Sequence, residues 1–427
     1  MFVSSTFGVP RYFQRFFASD TSGLSHTPDP RSNVKPEHRV DYLMHTYIVQ
    51  YMTGAGLQPL ANRFTHNMLH QLHAFHTVAD SHELEDLYAF MQEHIFRASI
   101  SAMFGKLIFQ VSPRFCENFW RFEAGVPELA KGFPRWILRN QYRARDVCLA
   151  DVRRWHETLD QRRLHAADPK VLSDNHYDDV FGSEVVKRRH AAFSRMELMG
   201  ADAKASEDLA LIWGSVSNAT HATFWLVHAV LRDKRMTERF LFEIKKAEFD
   251  AYDQTPGLHA YDVNVLCRND FLQSLYAETL RMYVANMILR TPRHGEVQVG
   301  EWSMDGTDIL GTMSYPMHHD PAVYKTDDHG IARPLTEFWA ERFMGPCGNS
   351  FTLAGLEGSW IPYGGGSNMC PGRYFAKQEI LITAALLIGN FDINLVGQEP
   401  EIDWRFFGSG TLGVKGRQRC MLVRRAQ

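Results

Sequence analysis

The run Tyr363-Gly364-Gly365-Gly366-Ser367-Asn368-Met369-Cys370-Pro371-Gly372 decides the reading of this chain. Three consecutive glycines before a cysteine, then Pro-Gly opening a helix, suit a sulfur that must sit close against a flat ligand, because glycine lets backbone approach and turn where a side chain collides. Backbone N–H groups at the start of the following helix can point at the sulfur, and the positive helix end favours thiolate over thiol. Two plainer readings compete. A lone cysteine is most often a small buried hydrophobe. A glycine run can also cradle phosphate, although no Gly-Lys-Ser/Thr follows this one.

Outward from the loop, the segment after Cys370 has the apolar spacing of a helix. Phe375, Ala376, Ile380, Leu381, Ala384, Leu387 and Ile388 are expected to share its buried face, and Gly389-Asn390 to end it as a left-handed cap. Before the loop, Asn269 to Tyr283 reads as a helix, followed by Pro- and Gly-rich sequence with short strand-like pieces such as Val297-Gln298-Val299. Met421-Leu422-Val423 is another such piece. Ser206, followed by Glu207 and Asp208, reads as an N-cap with an acidic first turn. From there a helix runs to Arg232-Asp233-Lys234-Arg235, about 28 residues and roughly 42 Å at 1.5 Å per residue. Helical spacing also recurs from Tyr42 to about Leu57, Ala61 to Phe75, Leu84 to Phe104 and across 114–160. Residues 20–36, with Pro28, Pro30 and Pro36, read as an irregular loop, and 166–187 as a polar surface connection. The fold class that follows is mostly α with a minor β component.

Composition bounds the function classes. The chain has 427 residues, 45% of them hydrophobic, which is enough for a large core in one large domain or several ordinary ones. A net charge of −3 carries no general basic excess, so nucleic acid is not an expected partner. Cys116, Cys148, Cys267, Cys347, Cys370 and Cys420 form no C-x-x-C pair, which argues against a disulfide framework or zinc ribbon and for a reducing compartment. The start, Met1-Phe2-Val3-Ser4-Ser5-Thr6, lacks the basic and apolar regions of a signal peptide. No uninterrupted apolar run reaches about 18 residues, so the chain is expected to be soluble or peripheral.

Read as Tyr363-x-x-Gly366-x-x-x-Cys370-x-Gly372, the loop resembles the haem-binding loop of the cytochrome P450 family. Tyr363 stands in place of the usual phenylalanine, and Asn368 in place of the usual basic residue two before the cysteine. The resemblance implies that Cys370 is the axial thiolate ligand of a haem b iron, with Tyr363, Gly366 and Gly372 helping to hold the haem. Glu278-x-x-Arg281 resembles the family's E-x-x-R motif, and Phe338-Trp339-Ala340-Glu341-Arg342-Phe343 resembles its F-x-x-E-R-F segment, with Ala340 where proline is usual. An acid–base pair three apart on a helix is by itself worth a few tenths of a kcal/mol. The resemblance instead makes Glu278, Arg281 and Arg342 a buried structural network that holds the meander before the cysteine. Arg290 falls where related members place an arginine on a haem propionate, with Val284 to Met287 then facing substrate; a solvated strand-end charge is its plainer reading. His318-His319-Asp320-Pro321 resembles the family's His-x-Asp-Pro turn. Adjacent histidines point apart on an extended chain, so no metal is assigned to them.

The segment from Trp213 to Trp225 is similar to the sterol 7α-hydroxylase and prostacyclin synthase branch, whose pattern has asparagine here and Ala-x-Phe-Trp after it. The match puts Asn218 at the oxygen site, and Thr220 and His221 in the places of the acid and threonine that relay protons. A hydroxyl, or a histidine with pKa near 6.5, can relay protons through water; a hydrogen-bonded core histidine is the plainer reading of His221.

The resemblance as a whole implies one P450 domain over residues 1–427, with a truncated N-terminus that lacks the family's usual anchor and first helix and hairpin. It implies a haem-thiolate monooxygenase that inserts one oxygen atom of O2 into a C–H bond of a hydrophobic small molecule, a sterol, terpenoid, polyketide or other lipid-like metabolite, in fungal secondary metabolism. Electrons would come from NADPH through NADPH-cytochrome P450 reductase. Arg373 and Lys377, one helical turn apart beside Cys370, are expected on that docking face, or more plainly as solvated charges. Two other outcomes stay open. Asn218 and the missing acid–threonine pair suggest a haem-dependent isomerase or dehydratase of an oxygenated substrate, and the short N-terminus suggests a truncated haem protein without activity. The expected location is the cytoplasm, or the endoplasmic reticulum surface as a peripheral protein.

Overall fold

The computed structural model describes residues 2–76, 81–165, 177–250, 255–292, 295–328 and 330–425, in a mostly helical arrangement with a minor β component. Its longest helix, Ala201–Arg232, has 32 residues and therefore a length of roughly 48 Å at 1.5 Å per residue. Leu209, Ile212, Val216, Phe224 and Val230 are buried at different angles around it. Such a helix needs covering on most sides. Helices Leu87–Phe104, Arg139–His165, Asp270–Tyr283 and Arg373–Asn390 supply that cover.

This central helix begins at Ala201 rather than after Ser206. Asp202 is the acid of its first turn, and Ser206 lies one turn further on, where its hydroxyl donates to the Asp202 carbonyl at 2.8 Å. The helix Asp270–Tyr283 starts where the sequence places it, with the Asn269 side chain accepting from the Leu272 N–H at 3.0 Å. The end of Arg373–Asn390 differs from expectation. Gly389 and Asn390 are both helical, and Gly389 is needed because a Cβ there would collide with the Tyr261 ring. The Asn390 amide closes the helix by donating to the carbonyls of Leu386 (2.9 Å) and His259 (3.0 Å).

Upstream, the break expected near Leu57 falls at Thr53-Gly54. Gly54 takes φ +53°, separating Val40–Met52 from Gly54–His76, which runs on through Pro59. Leu84 ends the strand Ser81–Leu84, and Asp86 caps the next helix, Leu87–Phe104. The stretch 114–160 divides into Phe115–Glu123, Val126–Ala130 and the first part of Arg139–His165. Residues 20–35 are irregular as expected, and the Arg39 guanidinium ties them down by donating to Ser22 Oγ (3.0 Å) and the His26 carbonyl (2.9 Å). Of the expected surface connection, 166–176 lie outside the described residues, and Glu184–Phe193 is already helical. Phe2–Phe7 and Arg11–Ala18 are helices additional to those expected.

Two three-stranded antiparallel sheets flank the helices. One pairs Ser81–Leu84 and Phe391–Val396 with the two sides of Arg419–Arg424. The other centres on Val284–Arg290, with Ser409–Thr411 on one side (Gly410 opposite Ala285) and Leu310–Met313 on the other (Gly311 opposite Leu289). Among the described residues, Leu310–Met313 has no second strand partner, and all four of its residues are exposed.

Candidate active site

The cysteine loop and the central helix face one cavity of about 340 Å3. Cys370, Gly364 and Tyr363 line it from the loop, and Gly214, Ser215, Asn218, Ala219 and Ala222 from the helix. Strand Val284–Arg290 and Gly410-Thr411 on its partner strand form a side wall. The helix residues follow from geometry: positions three and four apart share a face, so 215, 218, 219 and 222 look the same way.

Cys370 is half-buried, and its N–H donates to the Tyr363 carbonyl at 3.0 Å. Burial pushes its thiol above the ordinary value, while the N–H groups of Gly372 and Arg373 and the Arg373 charge pull the other way. Gly364 and Gly366 adopt φ +73° and +68°, conformations that other residues take at a cost. A Cβ at Gly364, Gly365 or Gly366 would meet nothing within 4 Å, so this side of the loop faces open space. Gly372, by contrast, is in an ordinary helical conformation, and its contribution is the N–H aimed at the sulfur. The Tyr363 hydroxyl hydrogen-bonds the Tyr276 hydroxyl, and burial raises its pKa, so it stays neutral.

Arg290 reaches the same loop. Its guanidinium donates to the Gly365 and Leu289 carbonyls, each at 2.8 Å, and among the described residues no carboxylate pairs with it. A cysteine sulfur, an open glycine shelf and an unneutralised guanidinium at its edge together fit a flat, iron-bearing group with acidic substituents.

Glu278, Arg281 and Arg342 are fully buried together. Arg281 meets Glu278 through Nε (2.7 Å) and Nη2 (2.9 Å), and Arg342 Nε lies 3.1 and 3.2 Å from the two carboxylate oxygens. The remaining guanidinium donors go to backbone carbonyls, Arg281 to His318 and Leu335, Arg342 to Arg333, Pro334, Glu337 and Lys325. The Trp339 N–H also donates to Glu278, at 3.0 Å. The trio thus stitches three stretches of irregular chain to one helix.

The structure separates the three residues expected above the iron. Asn218 lines the cavity, and its Oδ1 accepts the Thr411 N–H at 2.7 Å. Gly410 takes φ +136°, and a Cβ there would collide with the Asn218 amide, so this close approach requires glycine. Thr220 and His221 do not line the cavity. Thr220 is fully buried, and among the described residues its hydroxyl has no hydrogen-bond partner. His221 sits between the rings of Tyr88 and Phe406, with Nδ1 3.2 Å from the Thr411 carbonyl oxygen. Its Nε2 lies 3.5 Å from Oε1 of Glu123, which also accepts from Ser217 Oγ at 2.9 Å. Burial raises Glu123 to about 8 and lowers His221 to about 4, so both are neutral near pH 7.

Glu123, Gly410 and Thr411 were not indicated by any motif. Glu123 arrives from a helix distant in sequence, while Gly408 and Gly410, two apart in Phe407-Gly408-Ser409-Gly410-Thr411, are the local signal for a close backbone approach. The two basic residues beside the loop are engaged inward rather than free. Lys377 donates to the Cys267 carbonyl (3.1 Å) and Gln273 Oε1 (2.9 Å), and Arg373 to the Cys370 carbonyl (2.9 Å). His318 ends a short helix, Ser314–His318, rather than lying on extended chain, and His319 follows it. His318 Nε2 accepts from the Ile361 N–H at 3.1 Å, and His319 Nδ1 donates to the Tyr315 carbonyl at 2.8 Å.

Residues 30–415 match the family described as "Cytochrome P450". The chain is 30% identical to the cytochrome P450 monooxygenase fsoE of Humicola fuscoatra, over 99% of this chain and 75% of that protein. It is 26% identical to the cholesterol 7-alpha-monooxygenase of Cricetulus griseus, over 78% of this chain and 65% of that one. Among solved structures, a retinoic acid-bound cyanobacterial CYP120A1 superposes with a TM-score of 0.63 at 17% identity, covering 92% of this chain and 80% of that chain.

Proposed function

Because the chain belongs to the cytochrome P450 family and is a monooxygenase of it, we propose that it inserts one oxygen atom of O2 into a C–H bond of a hydrophobic small molecule. A sterol, terpenoid, polyketide or similar lipid-like metabolite is the substrate class, and the fungal relatives support a setting in secondary metabolism. The single observation that carries the reading is that Cys370 and Asn218 open onto one cavity from opposite elements. The relatives do not favour a haem isomerase or an inactive haem protein.

The family's haem, when bound, would supply oxygen activation, which a thiolate ligand favours by donating electron density. In this chain Cys370 would ligate the iron. The N–H groups of Gly372 and Arg373 hold charge on its sulfur and temper its donor strength. The open faces of Gly364, Gly365 and Gly366 leave room for the flat group, and Arg290 would pair with an acidic substituent at its edge. Ala219, Ala222, Val284 and Phe375 give the cavity apolar walls that exclude water and favour an apolar guest. Asn218 spends Oδ1 on Thr411, which leaves its Nδ2 to donate into the cavity. Glu123 and His221 do not line the cavity; His221 meets the Thr411 carbonyl with Glu123 beside its other nitrogen, and so both act as positioning residues.

Electrons are proposed to come from NADPH through a reductase. A location in the cytoplasm or at the surface of the endoplasmic reticulum is proposed; no helix among the described residues is long and apolar enough to cross a membrane. The first test is the carbon monoxide difference spectrum of the reduced, haem-loaded protein. A thiolate-type Soret band is expected, and it should disappear in Cys370→Ser. Product mass after turnover under 18O2 with reductase, NADPH and a panel of apolar substrates should then rise by one labelled oxygen. An unchanged spectrum in Cys370→Ser would refute the assignment.

A further inference from the structure

Away from the cavity, three helices bring metal-type ligand atoms to one point. His156 comes from Arg139–His165, His190 from Glu184–Phe193, and Asp208 from the central helix. Their ligand atoms lie within 4.8 Å of one another. We propose that these residues form a binding site for a divalent transition cation, with Zn2+ the best fit.

The donor set is the first reason. Two imidazole nitrogens and one carboxylate oxygen suit zinc, and the same set is poor for the all-oxygen preference of Mg2+ or Ca2+. The aim of the side chains is the second. Both histidines present Nε2, at 2.8 Å (His156) and 2.6 Å (His190), to the same oxygen of Asp208. Replacing the two bridging protons by one cation requires only small outward shifts toward metal–ligand distances of about 2.0–2.2 Å.

The surroundings are the third. Asp208 is fully buried, and its other oxygen, Oδ1, has no hydrogen bond, only the Arg189 guanidinium at 3.5 Å. That guanidinium orients the carboxylate from behind, as outer partners of metal ligands do. It also donates to the Glu207 carbonyl at 3.1 Å and lies 3.9 Å from the Glu207 carboxylate. Asp208 and Glu207 therefore offset two of the three positive charges that Arg189 and the cation bring together. The Trp155 ring packs against both imidazoles, holding them in place. His156 keeps 12% of its side-chain surface exposed, which gives an ion a way in and leaves a fourth position for water.

The site joins helices packed along one side of the cavity-bearing helix, so a bound ion would act on stability rather than on the reacting atoms. The test is equilibrium dialysis of chelator-stripped, haem-loaded protein against ZnCl2, with metal counted by elemental mass spectrometry and melting followed in parallel. Wild type is expected to hold one zinc per chain and to melt higher with zinc than without. His156→Gln and His190→Gln should each lose that zinc while keeping their haem content. His66→Gln/His70→Gln, which removes a neighbouring pair whose Nε2 atoms lie 3.2 Å apart on one helix, should keep it. If stripped wild type takes up no zinc, or if the His66/His70 variant loses it while His190→Gln retains it, the proposal is overturned. The wild-type arm decides even if a variant fails to fold.

Discussion

Replacing Gly410 by alanine isolates the contact that holds the cavity's side wall against the central helix. The new Cβ falls on the Asn218 amide, so Asn218 must turn away and the Thr411 N–H loses its 2.7 Å acceptor. A stranded backbone donor costs about 1–3 kcal/mol. Holding alanine at φ +136° costs about 1–3 kcal/mol more. Gly410→Ala should therefore destabilise the haem-loaded protein by about 2–6 kcal/mol in urea unfolding. Asn218→Ala alone should cost about 1–3 kcal/mol, because it strands the same donor without the strain. The combination is the informative measurement. Both single variants lose one hydrogen bond, so the double variant should be no less stable than Gly410→Ala, and the coupling should equal that bond, about 1–3 kcal/mol. Additive losses, or a Gly410→Ala cost below that of Asn218→Ala, would refute the argument that the two residues meet.

Arg342→Ala leaves the Glu278 carboxylate with half its ion pairs and four carbonyl contacts vacated, and should cost about 3–5 kcal/mol, read as a lowered urea midpoint with less haem retained. The Glu123–His221 pair should make stability depend on pH. Glu123 binds its proton more tightly folded (about 8) than unfolded (4.5), so it loses stability as pH rises between those values. His221 binds its proton less tightly folded (about 4) than unfolded (6.5), so it gains stability as pH rises over that range. The slopes oppose each other up to pH 6.5, and from there to pH 8 only the Glu123 loss remains, about 2 kcal/mol at 1.36 kcal/mol per unit. Glu123→Gln should flatten that upper limb in urea titrations at stepped pH.

The parts of the site carried by local sequence were the most legible. Cys370 with its glycines, and Glu278-x-x-Arg281 on a helix capped by Asn269, depend on neighbours a few residues away. The orientation of the central helix was harder to read. At about 100° per residue, Thr220 is turned some 200° from Asn218 and must face elsewhere, yet the linear motif assigns both to the oxygen site. His221 lies at the margin of the cavity face, and only tertiary partners, Glu123, Thr411 and two aromatic rings, show which way it turns. Helix ends were misplaced where two signals compete. Ser206-Glu207-Asp208 looks like a cap, but a hydroxyl bonding back one turn is equally at home inside a helix. Lys377 beside Cys370 looked solvent-bound because sequence does not reveal that a carbonyl and an amide wait within its reach.

The strand Leu310–Met313 carries a consequence for how the molecule behaves in bulk. Its outer row of N–H and C=O groups is unclaimed among the described residues, and Ile309, Leu310 and Met313 are exposed beside it, with Trp302 on a nearby hairpin equally bare. Such an edge is a template for strand addition, and it carries none of the lysines, prolines or bulges that usually blunt one. Self-association by edge pairing rises with concentration whatever the state of the catalytic cavity. Clarity of a concentrated preparation is therefore expected to depend on this exposed edge as well as on the state of the cavity.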